Sequence, residues 1–244
     1  LNIVTPKIEL IASTQLTNTQ TGGTVIEELM NLDPSATDGE SLVEYAGRGC
    51  YESWGKPNPK TAHNPDYIRR TAFDMQHGSI LEHASVTLRF SGVSRAWLTE
   101  MERHRHLSWS VASQRYIDAN TFGVVVPPAV RDYAKNDESY IESYGIEIDE
   151  ALNAYNEWVD ELANYGGLPR KQAREAARSV LPNCLETRGV VTGNLRAWST
   201  ILPLRAHPTA DAEMQEVSML ILDTIHPVAP TITNHIRQQI KEHA

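Results

Sequence analysis

The chain has 244 residues, with 22 Lys and Arg against 31 Asp and Glu, and a formal charge of −9 at pH 7. That acidic balance excludes a general nucleic-acid or membrane-surface binder, which needs a basic field to attract phosphate. Hydrophobic residues at 41% and charged residues at 22% are ordinary for a globular protein, and no apolar run approaches the roughly 18 residues of a membrane span.

Residues 7–14, KIELIAST, alternate apolar and polar side chains and predict a strand, which the polar NTQTGG at 18–23 closes. Residues 41–54 carry a helical apolar pattern, 55–65 form a loop dense in Gly, Pro and Asn, and 66–78 read as a helix stopped by Gly78. HASVTLRFSG at 83–92 predicts a strand, and 94–105 returns to helical spacing with Ser94 as N-cap. GVVVPPAV at 123–130 predicts a short strand ended by prolines, and a long polar helix runs from about Glu138 to Tyr165. The next helix starts near Pro169 and stops at Pro182. Residues 184–194 predict a strand feeding a helix over 195–206, kinked at Pro203, and two apolar-faced helices complete the chain. Strands and helices alternate without a βαβ rhythm, so the expected class is α+β in a single domain, 1–244.

The stretch RHRHLSWSVASQRY, 103–116, places Arg103, Arg105 and Arg115 close together in an acidic protein. Two guanidiniums about 6 Å apart repel by roughly 3 kcal/mol at the effective dielectric near a protein surface, so an anion is expected among them. If the preceding helix ends here, Glu100 and Arg103 share a face, while Arg103 and Arg105 diverge toward different anionic groups. A new helix starting near Ser110 would offer free backbone N–H groups to a phosphate, and Arg115 would close a clamp with its bidentate fork. A second arginine group, Arg170, Arg174 and Arg178, makes one helical stripe in which Lys171 has Glu175 at i+4. Spacing alone leaves this stripe equally compatible with a solvated basic face. Asn194, Arg196 and Arg205 form the third group, at a strand-to-helix junction, where a cap with surface arginines is the competing reading.

His77, Ser79 and His83 precede a strand, and packing or capping roles compete there with ligand binding. His104 and His106 point apart on a helix, which argues against a metal site. The only cysteines, Cys50 and Cys184, have no metal or disulfide spacing, so a reduced, cytoplasmic setting is expected. Neither GxGxxG nor a P-loop is present.

In their order, ELIAST, LVEYAGRGCYESWGKPNPKTA, HGSILEHASVTL, RHRHLSWSVASQRY, VVVPP, RKQAREAARSVLPNCLETRGVVTGNLRAW and the late Arg205 resemble the flavin-dependent thymidylate synthases, the ThyX family, over nearly the whole chain. The resemblance implies a mainly antiparallel sheet with flanking helices. It also implies a homotetramer whose shared active sites unite FAD, dUMP and a folate. FAD would be held by Ser79, Arg103, His104, Arg105 and Val111, with Asn194, Leu195 and Arg196 from another protomer and Thr200 beside them. The dUMP would lie against Glu100, Arg103, Val111, Ala112, Ser113, Gln114, Arg115 and Arg178, with its phosphate on Ser113, the following amide and the two arginines. Arg205 matches the catalytic residue at the uracil ring, and His77 a histidine on the folate side. The implied reaction is reductive methylation of dUMP to dTMP, with methylenetetrahydrofolate as one-carbon donor and NADPH reducing FAD. No protein nucleophile is required, so neither cysteine is assigned a role. Val111 stands where many members carry an acidic or amide residue, which restricts any contact there to its backbone; Thr200 stands where a related pattern has His. A non-catalytic nucleotide-binding protein, which would keep the phosphate clamp alone, is the rival reading.

Overall fold

The computed structural model describes residues 2–17, 33–56 and 58–242, so the polar closure read at 18–23 lies outside the described residues. Among the described residues four strands form: β1 (Lys7–Ser13), β2 (Ser85–Ser94), β3 (Leu107–Val111) and β4 (Glu186–Asn194). They make one sheet in the order β1-β2-β4-β3. Neighbours run antiparallel. Thr87 Oγ1 lies 2.9 Å from Thr192 Oγ1, while three residues earlier the Ala84 carbonyl meets the Leu195 amide three residues later. β2 shows why its sequence makes a strand, since Val86, Leu88 and Phe90 are buried while Arg89 between them is exposed.

The helices, in chain order, are α1 (Asp38–Gly49), α2 (Asn64–Ile68), α3 (Arg95–Met101), α4 (Pro128–Ala134), α5 (Ser139–Asp160), α6 (Arg170–Ala177), α7 (Leu195–Arg205), α8 (Ala212–Ile225) and α9 (Pro230–Glu242). Ser94 caps α3 as expected, its Oγ accepting from the Trp97 amide at 3.0 Å. Several boundaries differ from the sequence reading. α1 begins at Asp38 and ends at Gly49, because Thr37 supplies the N-cap. Gly78 does not stop the preceding helix. After α2 the chain widens into a π turn over Arg69–Asp74, Gln76 takes the left-handed conformation at φ 58°, and Gly78 opens a 3-10 turn. The expected strand at 123–130 is reduced to two isolated bridges at Val124, to Ile3 and to Leu185, and Pro128 starts α4 rather than ending a strand. No helix starts near Ser110, which lies inside β3. Pro203 is carried inside α7, which continues to Arg205. Among the described residues no helix is long and apolar enough to cross a membrane.

Contacts divide the chain into two units: Leu1–Lys7 with Phe90–Arg103 and Trp109–Val190, and Ile8–Arg89 with His104–Ser108 and Val191–Ala244. In the first, Phe90, Trp97 and Trp109 pack with centroids 5.5 to 6.2 Å apart. A second cluster joins Tyr155 and Val159 of α5 to Ala173 and Ala177 of α6, with Phe122 and Leu185. Each large side chain so buried contributes about 1.5–3 kcal/mol. Ala112, Ile117 and Leu181 pack on that cluster, which ties the segment after β3 to α6. Gly189 permits the close approach of β4 to β3, since a Cβ there would sit 2.2 Å from the Ser110 carbonyl oxygen.

In the second unit, the buried Arg48 donates to Glu44 at 2.7 Å and to the Thr61 carbonyl at 2.6 Å, and lies 4.2 Å over the Tyr67 ring. This anchors the Gly- and Pro-rich loop. Buried Glu40 accepts from the Thr231 and Ile232 amides at 2.7 and 3.2 Å, and so caps α9. Burial pushes its carboxyl upward, against those hydrogen bonds, which pull it down. Trp198, Leu202, Ile221, Leu222, Ile232 and Ile236 form the apolar interior of α7, α8 and α9.

Candidate active site

Each unit carries one group of the residues singled out from sequence. In the first, β3 ends at Val111 and the chain enters a turn built on Ser113. The Ser113 carbonyl accepts from the amides of Tyr116 and Ile117 at 3.1 and 2.9 Å, and its hydroxyl from the Arg115 amide at 3.4 Å. The Ala112 amide donates to the Arg188 carbonyl, at 2.9 Å, so this end of the turn is fixed to β4. A serine-centred turn therefore stands where a helix N-terminus was expected, with the amides of Arg115, Tyr116 and Ile117 directed back to Ser113.

Arg115 pairs with Glu175 of α6 at 3.2 Å, and Arg174 of α6 donates to the Tyr116 carbonyl and to Asp118 Oδ2, each at 2.8 Å. The turn is thereby held against the helix whose end carries the exposed Arg178. The expected Lys171–Glu175 pair is replaced, because both side chains find partners on the turn. Lys171 sits 4.7 Å over the Tyr116 ring, and its hydrogen bond and charge hold that phenol below its ordinary range. Burial raises the Asp118 carboxyl, but hydrogen bonds from Asn120 and Arg174 outweigh it and keep the group below the usual aspartate value. Glu100 and Arg103 pair at 3.3 Å, as their spacing implied, with Arg103 largely exposed just beyond α3. Glu175, Arg174, Tyr116 and Asp118 were missed as site residues. Only the fold puts 118 beside 174, although the stripe at 170, 174 and 178 marked the helix face.

In the second unit, a cavity of about 390 Å³ is lined by His77, Gly78, Ser79, Ile80 and Arg196 together with Gly47, Cys50, Tyr51, Thr71 and Gln76. Three of the predicted residues, His77, Ser79 and Arg196, meet there. Asn194 caps α7, its Oδ1 accepting from the Ala197 amide at 2.8 Å, which turns the chain from β4 into the helix. Leu195 is buried and its amide donates to the Ala84 carbonyl at 2.8 Å. Arg196 projects outward and pairs with Glu82, a partner the sequence did not indicate. Thr200 is exposed one turn further on, its hydroxyl donating to the Arg196 carbonyl at 3.0 Å. Arg205, at the end of α7, donates from Nε to His104 Nε2 at 2.8 Å. An arginine only donates, so His104 Nε2 is the acceptor in this contact. Arg105 is exposed.

The cavity suits a portion of a large planar and anionic ligand. Its volume is within the range of small-molecule pockets. Gly78 leaves its wall without a side chain, and a Cβ there would lie 3.5 Å from Arg196 Nε. Its donor set of guanidinium, hydroxyl and imidazole fits a flavin dinucleotide.

Residues 32–231 match the family described as thymidylate synthase complementing protein. The chain is 42% identical over 224 residues to a probable flavin-dependent thymidylate synthase of Mycobacterium phage D29, covering 92% of this chain and 93% of that one. It is 45% identical over 203 residues to the flavin-dependent thymidylate synthase of Mycobacterium tuberculosis, covering 81% of this chain and 79% of the relative. Its fold matches a crystal structure of thymidylate synthase X from Helicobacter pylori with FAD and dUMP, at a TM-score of 0.63 and 18% identity, covering 95% and 98% of the two chains. With a family model matching residues 32–231 and relatives 42 and 45% identical over most of both chains, the chain belongs to the flavin-dependent thymidylate synthases.

Proposed function

We infer that this chain converts dUMP to dTMP by reductive methylation, with methylenetetrahydrofolate as the one-carbon donor and NADPH as the reductant of FAD. The observation that carries the reading is the clamp in the first unit, where Arg115 and the Ser113 turn are held on the helix bearing Arg178. Ser113, the following amide, Arg115 and Arg178 bind the dUMP phosphate through charge-assisted hydrogen bonds. Val111, Ala112 and Gln114 complete the wall along the nucleotide, and Glu100 and Arg103 lie at its sugar and base side.

Arg196, Ser79, Asn194 and Leu195, with Arg103, His104, Arg105, Val111 and Thr200, hold FAD, and His77 lies on the folate side. When bound, the flavin supplies two-electron redox chemistry that no side chain of this protein offers. Arg205 stays cationic at any ordinary pH, so it stabilises negative charge on the uracil ring and is not a proton acceptor. Its hydrogen bond to His104 orients the guanidinium. On the strength of the family resemblance, we assign the active enzyme to a homotetramer with shared sites. The 244 residues act as one functional domain in the cytoplasm.

The test is release of tritium from dUMP labelled at C5, together with dTMP formation, in the presence of methylenetetrahydrofolate and NADPH. The reading expects a yellow protein and NADPH oxidation stimulated by dUMP. Binding of dUMP with no tritium release would favour the non-catalytic nucleotide binder instead.

A further inference from the structure

Of the arginine stripe on α6, Arg178 is exposed at the helix end, while Arg174 turns inward with only 17% of its side chain accessible. Its two terminal nitrogens are both committed, one to the Tyr116 carbonyl and one to Asp118, at 2.8 Å each. Its Nε is buried and finds no acceptor among the described residues. A surface arginine would keep that group in water, so the side chain is held in place by what its fork reaches. What it reaches is the end of the turn that presents Ser113, Gln114 and Arg115. Asp118 in turn accepts from the Asn120 amide at 3.1 Å, which starts the short helical turn leading to the buried Phe122.

We propose that Arg174 is a positioning residue for the nucleotide phosphate, pinning the Ser113–Arg115 turn to the helix that carries Arg178 so that both arms of the clamp stand at a fixed separation before dUMP arrives. This inference rests on the proposed function, since it deepens the role of the same phosphate site. Arg174 does not touch the phosphate, because both ends of its guanidinium are already taken by Tyr116 and Asp118 at the end of the turn. Lysine cannot replace it, since one ammonium on a flexible stem does not span two acceptors as the planar fork does.

The experiment uses the FAD-loaded enzyme and compares wild type, Arg174→Lys and Asp118→Asn. It measures the dUMP Kd by calorimetry, kcat and KM in the tritium-release assay, flavin content and thermal midpoint. For Arg174→Lys the expected result is a Kd and KM for dUMP raised about tenfold, with kcat and flavin content held within about twofold. Asp118→Asn keeps the bond to the Tyr116 carbonyl and should raise Kd about threefold. If wild type itself fails to bind dUMP, the assignment of the phosphate site falls, and this inference with it. If wild type binds and Arg174→Lys stays within about twofold in Kd, or loses kcat with KM unchanged, the positioning role is overturned while the function stands. Should Arg174→Lys not fold, Asp118→Asn decides, and an unchanged Kd in that variant overturns the proposal.

Discussion

The arginines of the two units are satisfied in different ways. In the first, Arg115 and Arg174 are both tied to partners brought from the other side of a turn, Arg115 to Glu175 and Arg174 to Asp118 and a carbonyl. The whole arrangement stands on the packed cluster of Tyr155, Ala173 and Ala177. In the second, Arg196 borders a cavity and Arg205, at the end of a proline-containing helix, donates to His104. A phosphate is small and tetrahedral, and its recognition gains from arms fixed in advance. A flavin is large, and under the proposed assignment it is met by several segments that offer separate donors.

The largest effect that would break this contrast is at Arg205. Arg205→Ala should lower kcat for dTMP formation by about 100-fold or more, because it removes a cation aimed at developing charge, while flavin content is unchanged. Wild-type turnover in that variant removes the assigned role. Next comes Arg115→Ala, which should weaken dUMP binding about 10- to 100-fold in calorimetry, the range for losing a charge-assisted contact to phosphate. Retained affinity would show that the turn is not the phosphate site.

Smaller effects sharpen the picture. Glu175 holds Arg115 in a partly exposed pair, and such pairs are worth only a few tenths of a kcal/mol to about 1 kcal/mol. Glu175→Gln should therefore weaken dUMP binding about two- to fourfold, and tighter binding would mean that Glu175 competes with phosphate for Arg115 rather than positioning it. The smallest effect concerns pH. The Asp118 carboxyl is held below its ordinary value of 3.8 in the folded protein, so its stabilising contribution is complete above that value. It is lost as pH falls through the lower folded value. Between about pH 6 and 8, Asp118→Asn should leave the pH dependence of the thermal midpoint unchanged, with a difference emerging only in acid. A difference near neutrality would contradict the assigned charge state.

Much of this was legible in the sequence because it depends on local pattern. β2 alternates, Ser94 caps α3, Glu100 and Arg103 pair across one turn, and the α6 stripe was visible in the spacing of three arginines. What was not legible depends on partners distant in sequence. Lys171 and Glu175 read as an i,i+4 pair, yet Tyr116 and Arg115 take them, 55 and 60 residues away along the chain. Asp118 read as an ordinary polar residue until α6 came against it. The helix expected near Ser110 gave way to β3, because Gly189 lets β4 lie close enough for Ser110 to join the sheet. Gln76, with no glycine signal, turned the chain ahead of Gly78.

The separate assignment of Arg115 to dUMP and Arg196 to flavin is tested most directly by measuring dUMP affinity and flavin content in parallel on Arg115→Ala and Arg196→Ala. The account predicts opposite losses: Arg115→Ala stays yellow and loses dUMP, while Arg196→Ala loses flavin by about tenfold in affinity and still binds dUMP. Equal loss of both ligands in both variants, or loss of neither, would contradict it.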